Sequence, residues 1–476
     1  MPSSLHSPFR GLSRFERLTL AHVAILLVAT TWGFGGNALW LRPTLAWWGS
    51  LSILITLSAI LGRSESPLDL RPLRWLWPFV LFNGVVLVSL WTPGFREVRS
   101  GPDTMMLARS VPAWVPSAAV PAEARRALWL FDALYLSCFN VAFVLKRRRA
   151  VRGLVLIAMA NALALAVFGT LQKLAGADGL YFGRVRMRQQ YFFSTFIYHN
   201  HWAAFALLMA AAGLGLAWRY NQRAGERGFL YTPGFAALVT VFLLAVTEPL
   251  SASRSGVILM AALLLAAFLQ LILRVSRRRR RDGASAAAPL AGAALVLVLA
   301  LAGIWYVAGD TIERRAVLTG QQLAVMRAEG TIGARMALYR DTWRMGRDRP
   351  WFGWGMASFP YAFMLYNTQE PDRRDRLPIF YSAAHDDWLE SFAEHGVIGS
   401  LLLAGCGLAP LFGLRRSQLA NPLTRYLLAG CALVLAYAWV EFPFGNIAVV
   451  LSWWLCYFCA VRYAYLHAGA PPAPGQ

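Results

Sequence analysis

The sequence contains almost no lysine and few cysteines. Only Lys146 and Lys173 among its 46 basic residues are lysine. This skew is typical of a GC-rich genome, so the arginine count by itself says nothing about function. The five cysteines lie inside apolar runs, where cysteine acts as a small packing residue, and no disulfide framework is predicted. The chain also has no GxxxxGK[ST] loop, which excludes a nucleotide site of that kind.

Long apolar runs dominate what is present. Hydrophobic residues make up 57% of the 476 residues, and a soluble protein would not repeat apolar runs of about 20 residues. The sequence therefore predicts an all-α polytopic membrane protein with about 12 transmembrane helices, organised by the lipid bilayer. The predicted spans are 18–38, 44–62, 75–92, 128–145, 153–175, 200–218, 234–251, 255–274, 289–308, 396–414, 425–443 and 447–465.

The chain has a net charge of +22, and its basic residues lie in short clusters between the apolar runs. Nucleic-acid binding is not predicted, because it needs basic residues gathered on one soluble face. If the N-terminus is cytoplasmic, all the basic clusters fall on the cytoplasmic side, as the positive-inside rule requires. We therefore predict that both termini are cytoplasmic. The clusters lie at 63–74, 146–149, 219–227, 277–281 and 415–416.

The predicted spans divide the chain into five regions. A large outward loop separates nine spans from three, and it carries an amphipathic helix at 333–347. We expect the Pro/Ala-rich tail to be disordered. The regions are 1–150 (spans one to four), 151–308 (spans five to nine), 309–395 (the loop), 396–467 (spans ten to twelve) and 468–476 (the tail).

Two arginines at the outward side are suited to bind phosphate. Arg254 lies in the short turn between spans seven and eight, and Arg335 opens the amphipathic helix. The planar guanidinium grips phosphate oxygens bidentately. Arg254 has an alternative role, which is to snorkel to lipid headgroups. Arg335, Tyr339 and Trp343 share one helical face, so the helix has the alternative of lying on the outer leaflet with its aromatic residues as anchors.

Histidines mark the start of two other spans. Tyr198-His199-Asn200-His201 begins span six, either as a solvated polar end or as a block whose amide orients a sugar or phosphate oxygen. His385-Asp386-Asp387 ends the loop before span ten. The aspartates suit a helix start, where acidic residues complement the helix dipole. A helix start does not explain His385, and histidine is the side chain best suited to take a proton from a hydroxyl near neutral pH.

Four blocks in this order resemble the O-antigen ligase and O-antigen polymerase family of bacterial multi-pass membrane glycan transferases. The resemblance covers residues 150–415. The blocks are Gly169-Thr170 with Gln172; Thr195-Phe196 through Asn200-His201; Ser253-Arg254-Ser255-Gly256; and a C-terminal signature of Arg335, Tyr339, Pro350, Gly353, Gly355, Phe359, His385, Glu394, Gly396 and Gly399.

The resemblance implies a C-type glycosyltransferase fold in the inner membrane, with a periplasmic active site and no cofactor. It implies a glycan donor on undecaprenyl diphosphate and a sugar hydroxyl acceptor, on lipid A-core for a ligase or on another lipid-linked repeat for a polymerase. Arg254 and Arg335 would hold the diphosphate, and His385 would activate the acceptor. The supporting residues would be Gln172, His199, Asn200, His201, Tyr339, Asp386, Asp387 and Glu394.

The first outward loop, near Leu41-Arg42-Pro43-Thr44, has no carboxylate. Many transferases that use lipid-linked sugars place an acidic metal ligand there, so we predict a metal-independent reaction. One departure from the family is Asp386, where members often carry asparagine; Asp386 or Glu394 is a candidate to orient the imidazole. An alternative from another class is a lipid-linked oligosaccharide transporter, which should show inverted repeats and helices broken at the midplane. The sequence shows no such repeat.

Overall fold

The described part of the protein is mainly α-helical. The computed structural model describes residues 11–62, 69–100, 103–187, 191–222, 228–329, 334–369 and 379–468. The helices are α1 (Arg14–Trp32), α2 (Leu41–Leu61), α3 (Trp77–Ser89), α4 (Pro121–Val144), α5 (Arg148–Leu174), α6 (His199–Asn221), α7 (Pro233–Ser251), α8 (Arg254–Arg281), α9 (Ala287–Glu329), α10 (Ala334–Asp348), α11 (Phe359–Ala362), α12 (Asp387–Leu408), α13 (Arg416–Leu419), α14 (Pro422–Tyr437) and α15 (Ile447–Ala468). Two antiparallel hairpins pair β1 (Phe95–Ser100) with β2 (Asp103–Ala108) and β3 (Gly179–Leu180) with β4 (Val185–Arg186).

The prediction of an all-α polytopic membrane protein is confirmed. Within the described ranges, ten helices are long and apolar enough to cross a membrane. Each of the twelve predicted runs overlaps a helix, but two of these helices, α9 and α14, are not among the ten. Run 425–443 falls on α14, which has only 16 residues and ends at Tyr437. Run 289–308 falls on α9, which has 43 residues in all. A helix of that length measures about 65 Å, whereas the hydrocarbon core of a bilayer is about 30 Å thick.

Some predictions concern residues outside the described ranges. The tail 468–476, expected to be disordered, is described only at Ala468. Three members of the predicted cytoplasmic clusters also lie outside the described ranges, namely Arg63, Arg223 and Arg227.

Helices α6 and α15 form the centre of the bundle, because 94% of an 18-residue apolar stretch in each of them is buried. The middle of α6 is rich in alanine and glycine, and such small side chains allow helix backbones to approach closely in a membrane. At one such crossing, a Cβ on Gly430 of α14 would lie 2.7 Å from the Cβ of Ala211. The packing of small residues therefore holds α14 against α6.

A turn after α10 crosses a break in α12. Gly396 has φ +60° inside α12, and Gly353 has φ +65° in the turn. A Cβ on Gly353 would lie 2.3 Å from the carbonyl carbon of Glu394, so only glycine fits there. Backbone bonds from Trp354 to Ala393 (3.0 Å) and from Val397 to Pro350 (2.8 Å) join the two segments. The first turns of α12 are thereby fixed against the segment that follows α10. We call the end of the bundle that carries α10 and α11 the outer end.

Candidate functional site

A buried carboxylate at the outer end collects three polar side chains from different parts of the chain. Glu441 is 3% exposed. It accepts a hydrogen bond from Arg335 Nη2 at 2.7 Å and another from the Tyr198 hydroxyl at 3.2 Å. Its Oε2 lies 3.6 Å from His385 Nδ1. We call Tyr198, Arg335, His385 and Glu441 the Glu441 cluster.

Glu441 lies in a turn rather than in a membrane span. Helix α14 ends at Tyr437, whose carbonyl accepts the backbone N–H groups of Val440 and Glu441, both at 3.1 Å. Pro443 opens a short 3₁₀ turn, and the residue before a proline is disfavoured in helical conformation. The chain therefore leaves the helix four residues before Glu441 and presents its carboxylate at the helix end.

Helix α10 brings Arg335 to this carboxylate. Arg335 also donates from Nη1 to the carbonyl of Val440 at 3.2 Å. Guanidinium has five N–H donors; these two contacts use two of them, which leaves three. One turn further along the same face, the Tyr339 hydroxyl donates to the carbonyl of His385 at 3.0 Å. The predicted shared face of Arg335 and Tyr339 thus contacts the cluster at two points.

His385 immediately precedes the N-cap of α12. Its φ of +56° lies in the left-handed region, which is uncommon for residues other than glycine. Such backbone strain persists where surrounding contacts enforce it, often at functional sites. Here the enforcing contacts are the bond from Tyr339 and the N-cap of Asp386, whose carboxylate accepts the N–H groups of Trp388 and Leu389 at 3.0 Å each.

The 3.6 Å separation between His385 and Glu441 exceeds a hydrogen bond. It is an electrostatic contact, and catalytic hydrogen bonds commonly shorten only when substrate is in place. The ring of Phe442 contacts the imidazole edge-to-face, with centroids 4.5 Å apart. The side chain of His385 remains 27% exposed. The imidazole is therefore oriented by its neighbours without being enclosed.

The cluster also shifts the ionisation of its members. Burial raises the pKa of Glu441, but the His385 and Arg335 side chains outweigh it, and the net pKa lies below its ordinary value. Burial lowers the pKa of Arg335, whereas Glu441 raises it, and the net pKa is raised. Burial and Glu441 together raise the pKa of Tyr198. Near neutral pH the cluster thus holds a carboxylate, a guanidinium and a neutral phenol.

The block that begins α6 surrounds the same turn. Asn200 donates to the Tyr198 hydroxyl at 2.8 Å, and His201 Nε2 lies 3.2 Å from the carbonyl of Phe442. The ring of His199 contacts that of Tyr198 with centroids 4.8 Å apart. These three residues reach the cluster through Tyr198 and Phe442. A direct contact between them and a sugar or phosphate remains a prediction.

Three other predicted site residues bind backbone groups. Gln172 donates to the carbonyl of Ser194 at 3.1 Å, Asp387 accepts the N–H of Phe444 at 2.8 Å, and Glu394 accepts the N–H of Phe359 at 2.7 Å. Asp387 therefore ties the start of α12 to the turn that carries Glu441. Burial raises the pKa of Asp386, despite the two N–H groups that its carboxylate accepts.

Arg254 is the first residue of α8, and its side chain is exposed. The residue before it, Ser253, caps the helix by accepting the N–H of Gly256 at 3.2 Å and lies 3.0 Å from the Tyr437 hydroxyl. Gly256 is buried, and a Cβ there would lie 2.4 Å from Glu248 Oε2. The glycine serves helix packing.

Glu441 is not among the site residues predicted from the sequence. The residue lies inside the predicted span 425–443, and an ionisable side chain within a span is a functional candidate in its own right. The same signal marks Glu248 in the predicted span 234–251. Its side chain is buried, and neither carboxylate oxygen has a hydrogen-bond partner among the described residues.

Within the described ranges, no three His, Cys, Asp or Glu side chains form a group that could hold a metal ion. The independence of the reaction from metal stays a prediction. No curated protein matches the chain. A family model described as O-antigen ligase matches residues 239–404. That stretch contains Arg254, Arg335 and His385, whereas Glu441 lies beyond it.

The match confirms the family resemblance found in the sequence. Together with the apolar helices, it supports a bacterial multi-pass membrane protein that processes glycans. Over residues 239–404 the chain is thus similar to the O-antigen ligase family.

Proposed function

We propose that the protein is a metal-independent glycosyltransferase that moves a glycan from undecaprenyl diphosphate to a sugar hydroxyl. As an O-antigen ligase, it would take lipid A-core as the acceptor. The observation that supports this most strongly is the Glu441 cluster, in which one buried carboxylate contacts both Arg335 and His385. A group suited to a leaving phosphate and a group suited to an attacking hydroxyl thus share one partner.

The arginines act on the donor. As the bond between the anomeric carbon and the diphosphate oxygen breaks, negative charge collects on the phosphate oxygens. Hydrogen-bond donors that already point towards this charge stabilise the transition state. Arg335 has three N–H donors left after its bonds to Glu441 and Val440. Arg254 supplies a second, exposed guanidinium from α8.

His385 acts on the acceptor. The acceptor oxygen attacks the anomeric carbon while its proton passes to the imidazole Nε2. The other nitrogen, Nδ1, faces Glu441, and the carboxylate stabilises the imidazolium that results. The proton then leaves to solvent, and the products are the new glycoside and undecaprenyl diphosphate. General-base catalysis of this kind contributes about 10²–10⁴-fold.

The proposal places the site on the periplasmic side of the inner membrane, with both termini in the cytoplasm. The five native cysteines are free and buried, which suits a labelling test with an impermeant thiol reagent. Arg347→Cys on α10 should label in intact spheroplasts, and Ser285→Cys between α8 and α9 should label only after lysis. Labelling in the opposite order would place the cluster on the cytoplasmic face and contradict the proposal.

Purified protein in nanodiscs, with a synthetic polyprenyl-diphosphate glycan donor, tests the function directly. Glycan joined to lipid A-core identifies a ligase, and elongation of the lipid-linked glycan identifies the alternative, a repeat-unit polymerase. Donor movement across vesicles without a new glycosidic bond would mean a transporter and would overturn the proposal. Activity should survive EDTA. Loss that Mg²⁺ or Mn²⁺ restores would refute metal independence and direct attention to Asp386 and Asp387.

A further inference from the structure

Tyr437 contacts two parts of the site that are far apart in the sequence. It is the last residue of α14, and its side chain is fully buried. Its backbone carbonyl holds the turn that carries Glu441, through bonds from Val440 and Glu441. Its hydroxyl lies 3.0 Å from Ser253 Oγ. One residue therefore joins the start of α8 to the Glu441 turn.

Ser253 fixes the backbone position of Arg254 at the start of α8. Its hydroxyl accepts the N–H of Gly256 and contacts Tyr437 at the same time; a hydroxyl has one donor and two acceptor positions, enough for both. The first turn of α8 also has no room to move inwards. A Cβ on Gly256 would lie 2.4 Å from Glu248 Oε2 and 2.6 Å from the Cβ of Ala203.

We propose that Tyr437 is a positioning residue, which sets the separation between Arg254 and the Arg335–His385 pair through its hydrogen bond to Ser253. This inference rests on the proposed function, in which both arginines act on one diphosphate. Their spacing must match the phosphate oxygens while the anomeric carbon lies in reach of the acceptor hydroxyl. A misplacement of about 1 Å from a residue outside the chemistry costs about 10²-fold in rate.

Tyr437→Phe removes only the hydroxyl and keeps the ring that fills the core. We expect kcat to fall by about 10- to 100-fold with the acceptor KM unchanged, because the contacts of His385 are intact. The matched control is Tyr135→Phe in α4. Tyr135 is equally buried, and its hydroxyl lies 3.5 Å from the Cys406 carbonyl, at the long limit of a hydrogen bond. Tyr135→Phe should keep wild-type kcat.

A double-mutant cycle shows whether Tyr437 acts through Arg254. If it does, adding Tyr437→Phe to Arg254→Lys should lower kcat little further. The Tyr437 hydroxyl positions the Arg254 guanidinium, and that position no longer matters once the guanidinium has been replaced. A structural role predicts that the two losses multiply. Gly256→Ala offers a second route, since it displaces the first turn of α8 without altering Tyr437 and should reproduce the kcat loss. If Gly256→Ala does not fold, the cycle with Tyr437→Phe still decides.

Wild-type kcat in folded Tyr437→Phe, or losses that multiply with Arg254→Lys, would overturn the positioning role. Ser253→Thr, which keeps the hydroxyl, should retain more activity than Ser253→Ala, and equal losses in the two would also contradict it. Failure of the proposed function is a separate result. In that case the wild-type protein itself would join no glycan in the same assay.

Discussion

Two buried carboxylates at the outer end of the bundle have very different partners. Glu394, in α12, accepts the backbone N–H groups of Ala357 and Phe359 at 3.1 and 2.7 Å. Glu441 is held by the side chains of Arg335 and Tyr198 and lies beside His385. Both are almost fully buried, 9% and 3% exposed, so burial does not distinguish them.

The difference lies in what the partners are able to do. The His395 imidazole lies 4.0 Å from Glu394, but the hydrogen bonds to Glu394 come from backbone N–H groups, which neither change charge nor reach a substrate. Glu394 therefore fixes the segment around Phe359 against α12. Guanidinium and phenol groups bind ligands, and imidazole also exchanges protons near neutral pH. The properties of all three depend on the carboxylate beside them. We infer that Glu394 maintains the architecture of the site, whereas Glu441 governs its chemistry.

The largest expected effect is that of His385→Ala. Removal of the base should reduce glycan transfer by about 10²–10⁴-fold, while protein abundance and donor binding stay close to wild type. Transfer kinetics, together with size-exclusion profiles and a donor-binding assay, measure all three. Ordinary turnover in a well-folded variant would refute the base assignment, and a parallel loss of abundance would indicate a structural role.

Arg335→Lys should have the next largest effect. Lysine keeps the charge but loses the planar fork, and one charge-assisted hydrogen bond is worth about 1.5–3 kcal/mol, or at least about tenfold in activity. Arg254→Lys should act in the same direction. Arg347→Lys is the matched control, because Arg347 is an exposed residue of the same helix as Arg335. Near-normal activity in both site variants would contradict a bidentate grip on phosphate.

Glu394→Gln should affect stability rather than chemistry. The amide replaces one acceptor oxygen with an N–H donor, so one of the buried backbone N–H groups loses its partner, which costs about 1–3 kcal/mol. Thermal unfolding in detergent should show a lower Tm, with turnover per folded molecule near that of wild type. A collapse of turnover at unchanged Tm would place Glu394 in the chemistry and remove the contrast with Glu441.

The smallest expected effect concerns pH and stability. Because the folded-state pKa of Glu441 is below its ordinary value, its contribution to stability is present above the unfolded pKa of about 4.3. It is lost as the pH falls through the lower folded value. The Tm difference between wild type and Glu441→Gln should therefore be full at pH 7 and shrink in strong acid. A difference that grows in acid would contradict the shift.

The fold class could be predicted because span length and hydropathy are local properties of the sequence. The ends of spans were predicted less well. Helix α14 stops at Tyr437, although Ala438, Trp439 and Val440 continue the apolar run. The end depends on the turn around Pro443 and on the backbone bonds to Tyr437, which hydropathy does not report. The length of α9 was missed because its second half is helical without being uniformly apolar.

The site could be predicted in part for a related reason. Helical spacing placed Arg335 and Tyr339 on one face, and His385 stood out because a helix start did not explain it. Glu441 lies 106 residues from Arg335, and only the folded chain brings them together. The position of an acidic residue inside a predicted span indicates a functional site. Glu441 was overlooked because the residues around it are apolar and read as a continuous span.

If Glu441 acts with His385 in the reaction, the single-turnover rate of purified Glu441→Gln should show it most directly. The variant keeps the size of the side chain and removes the negative charge that stabilises the imidazolium. With saturating donor and acceptor, we expect the rate to fall at least about tenfold, with Arg335 still supporting donor binding. A folded Glu441→Gln protein that transfers glycan at the wild-type rate would contradict the account.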